Sequence, residues 1–321
     1  MPTDRAPETL LEAVTYFANE DVAFAFVTNL RWPTGKQVCA KCGAVDTHNF
    51  VATRRVWKCR NCRKQFSLKQ GTIFEDSPLS LSKWLPAMWM LANCKNGISS
   101  HELARALGIT QKSAWFMLHR IRLAMQSDSF QKIDGEVEVD ETYIGGKARN
   151  MHKDKRARVI KGRGGIGKVA VMGLLARHKG KAGGKSRVRT KILKQTNRVT
   201  MQGEVREHVQ KGAEVFSDAH SGYTGLDREY IHKVVDHAEC YVRGNVHTNG
   251  LENFWSLLKR GLKGTYVSVE PFHLFRYLDE QVFRFNERET TDRGRFLMVA
   301  ASIFGKRIMY RNLIGQGLAK T

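Results

Sequence analysis

Three carboxylates in this chain stand where phosphate chemistry would need them. The run Glu136-Val-Glu-Val-Asp140-Glu-Thr-Tyr alternates acidic and apolar residues, so Asp140 falls near the end of a strand, on the face opposite Val137 and Val139. Val215-Phe-Ser-Asp218 repeats the arrangement, a short apolar strand that ends in an aspartate. Thirty-three residues lie between Asp218 and Glu252, which sits in the helical stretch Asn249-Gly-Leu-Glu252-Asn-Phe-Trp-Ser-Leu-Leu-Lys259-Arg260. Lys259 follows Glu252 by seven residues, two helical turns, and shares its face. Two strand-end aspartates and one helical glutamate can hold two divalent cations around a phosphate. Mg²⁺ suits that work because it accepts few protein carboxylates and keeps positions for water and substrate. Each group has a plainer reading, since a strand-end aspartate is more often a turn former or helix cap. Glu138, on the same face as Asp140, and Glu141, on the other, are local competitors, and Asn249 is an alternative oxygen ligand to Glu252.

Sulfur supplies a second site. Cys39-x-x-Cys42 and Cys59-x-x-Cys62 are separated by sixteen residues. Each pair offers two thiolates on a tight turn, and two such turns can close a tetrahedron around Zn²⁺. All four positions would be filled by protein, so the zinc would be structural. His48 lies in the loop as a possible competitor, and a redox dithiol pair is the alternative chemistry. Phe50, Val51, Val56 and Trp57 give the short strands that a zinc ribbon requires. Cys94 and Cys240 stand alone.

The elements that must position these sites follow from periodicity. Residues 8–30 read as helical and end at Trp32-Pro33-Thr34-Gly35. Residues 80–126 are helical again, with Ser99 and Glu102 spaced as a capping box and a break at Gly108. The stretch from Ile98 to Arg122 is patterned like a DNA-binding helix-turn-helix. Leu103, Ala104 and Leu107 face inward on its first helix. Its second helix is expected to expose Gln111, Lys112, Ser113, His119, Arg120 and Arg122, the first of which could reach base edges in a major groove. The alternative is a helical hairpin packed on another domain. From about residue 134 the pattern turns to strands, at 137–144, 169–176, 187–194 and 213–217. Helices are expected near 200–211, 248–264 and 271–288. The domains read as a helical segment 1–35, a zinc ribbon 36–70, a helix-turn-helix region 71–130 and an α/β domain 131–321.

Composition narrows the partners. The 321 residues carry 53 Lys and Arg against 31 Asp and Glu, a net charge of +22. Residues 147–198 alone hold eighteen Lys and Arg and a single acid, Asp154, and they are interrupted by glycines. Such a balance disfavours small cationic substrates and favours a polyanion. The longest apolar runs are about eight residues, where a membrane span needs roughly 20. No basic and apolar leader is visible at the start, so the expected setting is a reducing cytoplasm, with the protein at the nucleoid.

Together these blocks resemble the zinc-ribbon DDE transposases of prokaryotic insertion sequences, the ISXO-like group related to the Merlin elements. Leu30-Arg-Trp-Pro-Thr-Gly before the first knuckle, Phe66, Gly71-Thr-Ile-Phe and Trp84 belong to that likeness. So do Ala114-Trp-Phe-Met-Leu-His-Arg-Ile-Arg, Val139-Asp-Glu-Thr-Tyr-Ile-Gly-Gly-Lys, Ser217-Asp-Ala-His-Ser-Gly-Tyr and His247-Thr-Asn-Gly-Leu-Glu-Asn-Phe-Trp-Ser-Leu-Leu-Lys-Arg. The resemblance covers nearly the whole chain. It implies a multidomain protein in which an RNase H-like domain with a mixed sheet follows the zinc ribbon and helix-turn-helix. It also implies Mg²⁺ held by Asp140, Asp218 and Glu252, with cleavage at the ends of an element and attack of the freed 3′-OH on target DNA. The third acidic position varies in the family. On this reading the partners are double-stranded DNA, as terminal repeats and as target, and further copies of the chain on paired ends. Lys259 and Arg260 would contact the DNA backbone, and His220 and His247 would orient phosphate or water. Tyr143 and Tyr223 lack the Arg and His cluster that a tyrosine recombinase needs and read as packing or orienting residues. The competing reading is a DNA-binding regulator derived from a transposase; a structure-selective nuclease is a third.

Overall fold

The computed structural model describes residues 6–126, 131–146, 152–154, 157, 167–178, 185–235 and 247–315. Cys240 and much of the basic stretch 147–198 lie outside them. The chain divides into two compact units, residues 1–126 with 289–321, and residues 127–288. The expectation that the α/β domain continues to residue 321 is corrected, because the chain returns to the first unit at residue 289. Phe296, on the helix Asp292–Ala301, explains the return: its ring lies 5.2–5.9 Å from those of Phe17, Phe26 and Trp89. Among the described residues no helix is long and apolar enough to cross a membrane.

In the first unit, α1 (Leu10–Ala18) starts in a capping box of Thr9 and Glu12, and α2 (Glu20–Arg31) is capped by Asn19. The ribbon strands β1 (His48–Val51), β2 (Val56–Cys59) and β3 (Gln65–Ser67) pair antiparallel in that order. Trp57 of β2 stacks between Phe24 of α2 and Phe66 of β3, at 5.7 and 5.8 Å. Helix α3 (Leu81–Asn93) is apolar on nearly all sides and is the buried centre of the unit.

Helix α4 (Ser100–Leu107) begins at the expected Ser99–Glu102 capping box and ends at Gly108, which takes the left-handed φ of +60° that the turn requires. Helix α5 (Gln111–Met125) follows, capped by Thr110. Its expected exposed face is corrected in its second half. His119, Arg120 and Arg122 are all buried. Arg120 donates to the carbonyls of Ile73, Glu75 and Ile308 at 2.7–3.2 Å, so its guanidinium is consumed by the fold.

The second unit is a five-stranded mixed sheet. Strands β4 (Glu136–Ile144), β5 (Val169–Ala176) and β6 (Arg187–Leu193) form an antiparallel meander. Helix α6 (Arg198–His208) then leads to β7 (Glu214–Asp218), which pairs parallel to β4, and β8 (Ile231–Val235) pairs parallel to β7. The spatial order is β6-β5-β4-β7-β8. Period two divides the buried residues between the two faces. Val137, Val139, Met172 and Leu174 pack with Met201 and Val205 of α6 on one face. Val171 and Leu175 pack on the other with α7 (Asn249–Gly261) and α8 (Leu274–Asn286), through Leu251, Phe254, Leu258 and Leu278. Being covered on both faces is why β5 reads as an unbroken apolar run. Strand β8 went unforeseen: its Ile231-His-Lys-Val-Val lies at the sheet edge and is largely exposed.

Candidate active site and metal centre

The four ribbon cysteines converge. Cys39 Sγ lies 3.8 Å from Cys62 Sγ, and Cys42 Sγ lies 3.7 Å from Cys59 Sγ, with all four sulfurs within 4.8 Å of one another. A tetrahedron with Zn–S bonds of about 2.3 Å has edges of roughly 3.8 Å, so the donor set fits Zn²⁺ and leaves no position open. Gly43 at φ +73° and Arg63 at φ +60° turn the two knuckles. The Cys59 thiol is drawn down to about 6, first by the backbone N–H of Cys62. Cys62 also meets a backbone N–H, from Lys64, yet burial and its neighbouring thiols push it up to about 11. His48 is not a member of the cluster; its ring stands edge-on to Phe66 at 5.0 Å.

Two of the carboxylates stand where two parallel strands part. The pairing of β4 with β7 ends at Glu138 and Phe216. Two residues further on, Asp140 and Asp218 occupy the next register positions, at the carboxyl end of β7. On its other side β4 stays paired with β5 as far as Ile144, and Asp140 lies opposite Gly173. Asp140 is gripped on both oxygens: Trp255 Nε1 donates to Oδ2 at 2.9 Å and the Glu141 N–H donates to Oδ1 at 2.8 Å. Asp218 Oδ1 accepts the N–H of His220 at 3.1 Å, a local turn bond.

Glu252 reaches this place from α7. Leu251, Phe254, Trp255 and Leu258 bury one face of that helix. Glu252, Ser256, Lys259 and Arg260 lie on its flank and, with Lys263 of the π-helical turn that follows, line a cavity of about 580 Å³ together with Asp140, Glu141 and Thr142. Lys259 therefore shares the Glu252 face, as its spacing requires. The oxygens of Asp140, Asp218 and Glu252 do not all fall within 4.8 Å of one another, unlike the cysteine sulfurs.

Negative charge is crowded here. Burial, then the charges of Glu141 and Asp218, push the Asp140 carboxyl up to about 7, against the pull of the Trp255 N–H. Glu141 is also raised, by burial and by Asp218, although Tyr223 hydroxyl donates to it at 2.7 Å and His220 Nε2 stands 3.7 Å away. Glu141 turns toward Tyr223 on the face away from Trp255, as strand alternation requires. His247 faces elsewhere, with Nδ1 2.7 Å from Arg177 Nη2. Tyr143 lines a second cavity, of about 550 Å³, with Lys168, Lys259 and Lys263. Asp140 and Asp218 are half-buried and Glu252 is exposed; such hard oxygen donors, with charges that repel at Asp140, are a donor set that would fit Mg²⁺, because a cation offsets the repulsion.

Of the residues expected on the helix pair, Gln111 and Lys112 are exposed at the start of α5 and Ser113 is half-buried. Gln111 Nε2 donates to Ser100 Oγ at 2.8 Å, and Lys112 Nζ lies 4.7 Å from the Tyr310 ring centre. Sequence reasoning missed Trp255 as the partner of Asp140. Its place among the buried residues of α7 was readable from spacing, but the N–H that it aims at a residue 115 positions earlier was not.

Residues 132–286 match the ISXO2-like transposase domain, and residues 18–65 match the transposase zinc-ribbon domain. Together these matches span well over half of the chain, which is similar to ISXO2-like transposases in both regions. A relative described as an uncharacterized protein in the transposable element ISH50 of Halobacterium salinarum is 26% identical over 264 residues, 77% of this chain and 84% of the relative.

Proposed function

We propose that the protein is an insertion-sequence transposase that binds the ends of its element and carries out Mg²⁺-dependent 3′-end cleavage and strand transfer. The observation that carries this reading is the placement of Asp140 and Asp218 where β4 and β7 part, with Glu252 across a cavity rimmed by Lys259, Arg260 and Lys263. The sheet order and the mix of parallel and antiparallel pairs support an RNase H-like domain. Asp140, Asp218 and Glu252 would hold the Mg²⁺, which supplies charge neutralisation at the phosphate and acidifies bound water or a 3′-OH. Trp255 and the Glu141 N–H hold the Asp140 carboxylate in one orientation. Lys259, Arg260 and Lys263 attract the phosphate backbone and offset charge as it shifts between oxygens. Protein side chains form no covalent bond to DNA on this reading. The zinc ribbon and the exposed start of α5, with Gln111, Lys112 and Ser113, would read the element ends, and joining two ends would bring together at least two copies of the chain.

The test is cleavage and strand transfer with Mg²⁺ on DNA carrying the element's flanking ends. Wild type would be compared with Asp140→Asn, Asp218→Asn, Glu252→Gln and Asn249→Ala. Activity in wild type and Asn249→Ala alone is the expected result. DNA binding by every protein with cleavage by none would instead favour a DNA-binding regulator descended from a transposase.

A further inference from the structure

Helix α7 is tied to β4 at two points one helical turn apart. The Leu251 N–H donates to Glu138 Oε2 at 2.9 Å, and Trp255 Nε1 donates to Asp140 Oδ2 at 2.9 Å. The acceptors are two residues apart on the strand and the donors four apart on the helix. Two strand residues span about 6.7 Å and four helical residues about 6 Å, so a single register satisfies both bonds. A slide of one residue would break both.

Glu138 is built for this contact. The Leu251 amide is one of the first-turn N–H groups that a helix cannot satisfy from within. The carboxylate that satisfies it is 1% exposed. Arg177 Nε holds its other oxygen at 2.7 Å, and Arg177 Nη2 continues to the His247 carbonyl just before the helix, at 2.5 Å. Two glycines admit the helix to this distance. A Cβ at Gly250 would stand 2.9 Å from Glu138 Oε2 and 2.8 Å from Leu175 Cδ1. One at Gly173, opposite Asp140, would stand 2.6 Å from the Trp255 ring. Glu252 follows Leu251 directly, so whatever sets the register of α7 sets the place of Glu252 relative to Asp140.

We infer that Glu138 and Trp255 are positioning residues that lock α7 in register on β4, with Gly173 and Gly250 clearing the approach, so that Asp140 and Glu252 face the same cation. The inference rests on the reading of these two carboxylates as metal ligands, and it accounts for the Asn249-Gly-Leu-Glu run as a packing requirement as well as a source of ligands.

The test uses the full-length, zinc-loaded protein and two readouts other than turnover: hydrogen exchange at the Leu251 amide without added metal, and Mn²⁺ affinity by electron paramagnetic resonance. In wild type the Leu251 amide should be protected. Glu138→Ala should speed its exchange at least about tenfold, and Glu138→Gln, which keeps an acceptor oxygen, should restore protection. Trp255→Phe keeps an aromatic ring at the position but loses the N–H together with the fused five-membered ring; it serves as the second variant should Glu138→Ala fail to fold. Both Glu138→Ala and Trp255→Phe should bind Mn²⁺ about tenfold more weakly, the scale expected for groups that orient metal ligands. Wild-type Mn²⁺ affinity in both variants, with binding abolished in Asp140→Asn, would overturn the positioning role and leave the metal site standing. No Mn²⁺ binding by wild type, or binding unchanged in Asp140→Asn, would defeat the metal reading and this inference with it, while unchanged Leu251 protection in Glu138→Ala would separately show that the tie is absent.

Discussion

The cysteine cluster and the carboxylate site proposed for Mg²⁺ gather their donors in opposite ways. The four sulfurs already stand at the edge lengths of a tetrahedron, drawn from two knuckles within 24 residues of chain. The three carboxylates come from two strands and a helix spread over 113 residues, and they stay apart. A closed cluster spends its whole bonding capacity inside the protein and returns it as stability. The open site keeps capacity in reserve, and the reserve is visible as an Asp140 carboxyl raised to about 7. A structural metal wants local, redundant geometry. A reacting phosphate wants donors that substrate and cation complete together.

Removing a ligand from the closed site should do the most damage. Structural zinc contributes on the order of 10 kcal/mol to small zinc domains, far more than the short strands β1–β3 can replace. Cys59→Ser is expected to lose bound zinc in a chelator-release assay and to open residues 36–70 to protease. A ribbon that kept its zinc and its resistance with three thiolates would show that the cluster is not closed in the sense argued here.

The open site should respond with the opposite sign. Asp140 titrates near 7 in the fold against 3.8 ordinarily. Between those values the folded protein keeps a proton that the unfolded chain has released, so this group costs nothing below about pH 4 and destabilises the metal-free fold increasingly up to about pH 7. The full cost is on the order of a few kcal/mol. If Mg²⁺ is held here as proposed, it competes with that proton, so the rise in Tm that it gives should grow through the same window. Asp218→Asn removes one of the charges acting on Asp140 and keeps Oδ1 for the His220 N–H. It should raise the metal-free Tm at pH 8 by about 2 °C while abolishing cleavage. A lower Tm in that variant would mean that Asp218 is spent on the fold, as the cysteines are.

What could be read in advance follows the same division. The zinc ribbon was legible because its ligands, turns and strands are neighbours in sequence. Asp140 and Asp218 drew notice because an apolar run that meets an acid needs no partner to be recognised; Asp218 does end β7, but the strand-end expectation for Asp140 is corrected, because β4 stays paired with β5 and runs on to Ile144. Trp255 and Glu138 were not, because their roles exist only once α7 lies on β4, more than 110 residues away in sequence. Strand β8 was missed because an edge strand with Ile231, His232 and Lys233 buries little. Arg120 was misjudged because an arginine reads as surface charge, while its three carbonyl partners come from residues 73, 75 and 308.

Arg120 carries the contrast into a single helix. Its bonds are spent, so Arg120→Met should strand three backbone carbonyls and cost about 2–4 kcal/mol of stability by denaturant titration. A loss below about 1 kcal/mol would show that those carbonyls find other donors.

Lys112, two turns earlier on α5, is the counterpart with the smallest expected effect on the fold. Its side chain is exposed and its ammonium lies over the face of Tyr310, a contact worth about 0.5–1 kcal/mol at such a site. Lys112→Ala should therefore leave the denaturation midpoint nearly unchanged. If the start of α5 lies against DNA, the same variant should weaken binding to every sequence alike and lower the slope of log affinity against log salt by about 1, the signature of one lost phosphate contact. Gln111→Ala should behave differently, relaxing preference at one base position and leaving the salt slope alone, because an amide reads base edges and displaces no counterion. An unchanged slope in Lys112→Ala, with unchanged preference in Gln111→Ala, would place the DNA elsewhere and make the first turn of α5 as fully spent on the protein as its buried second half.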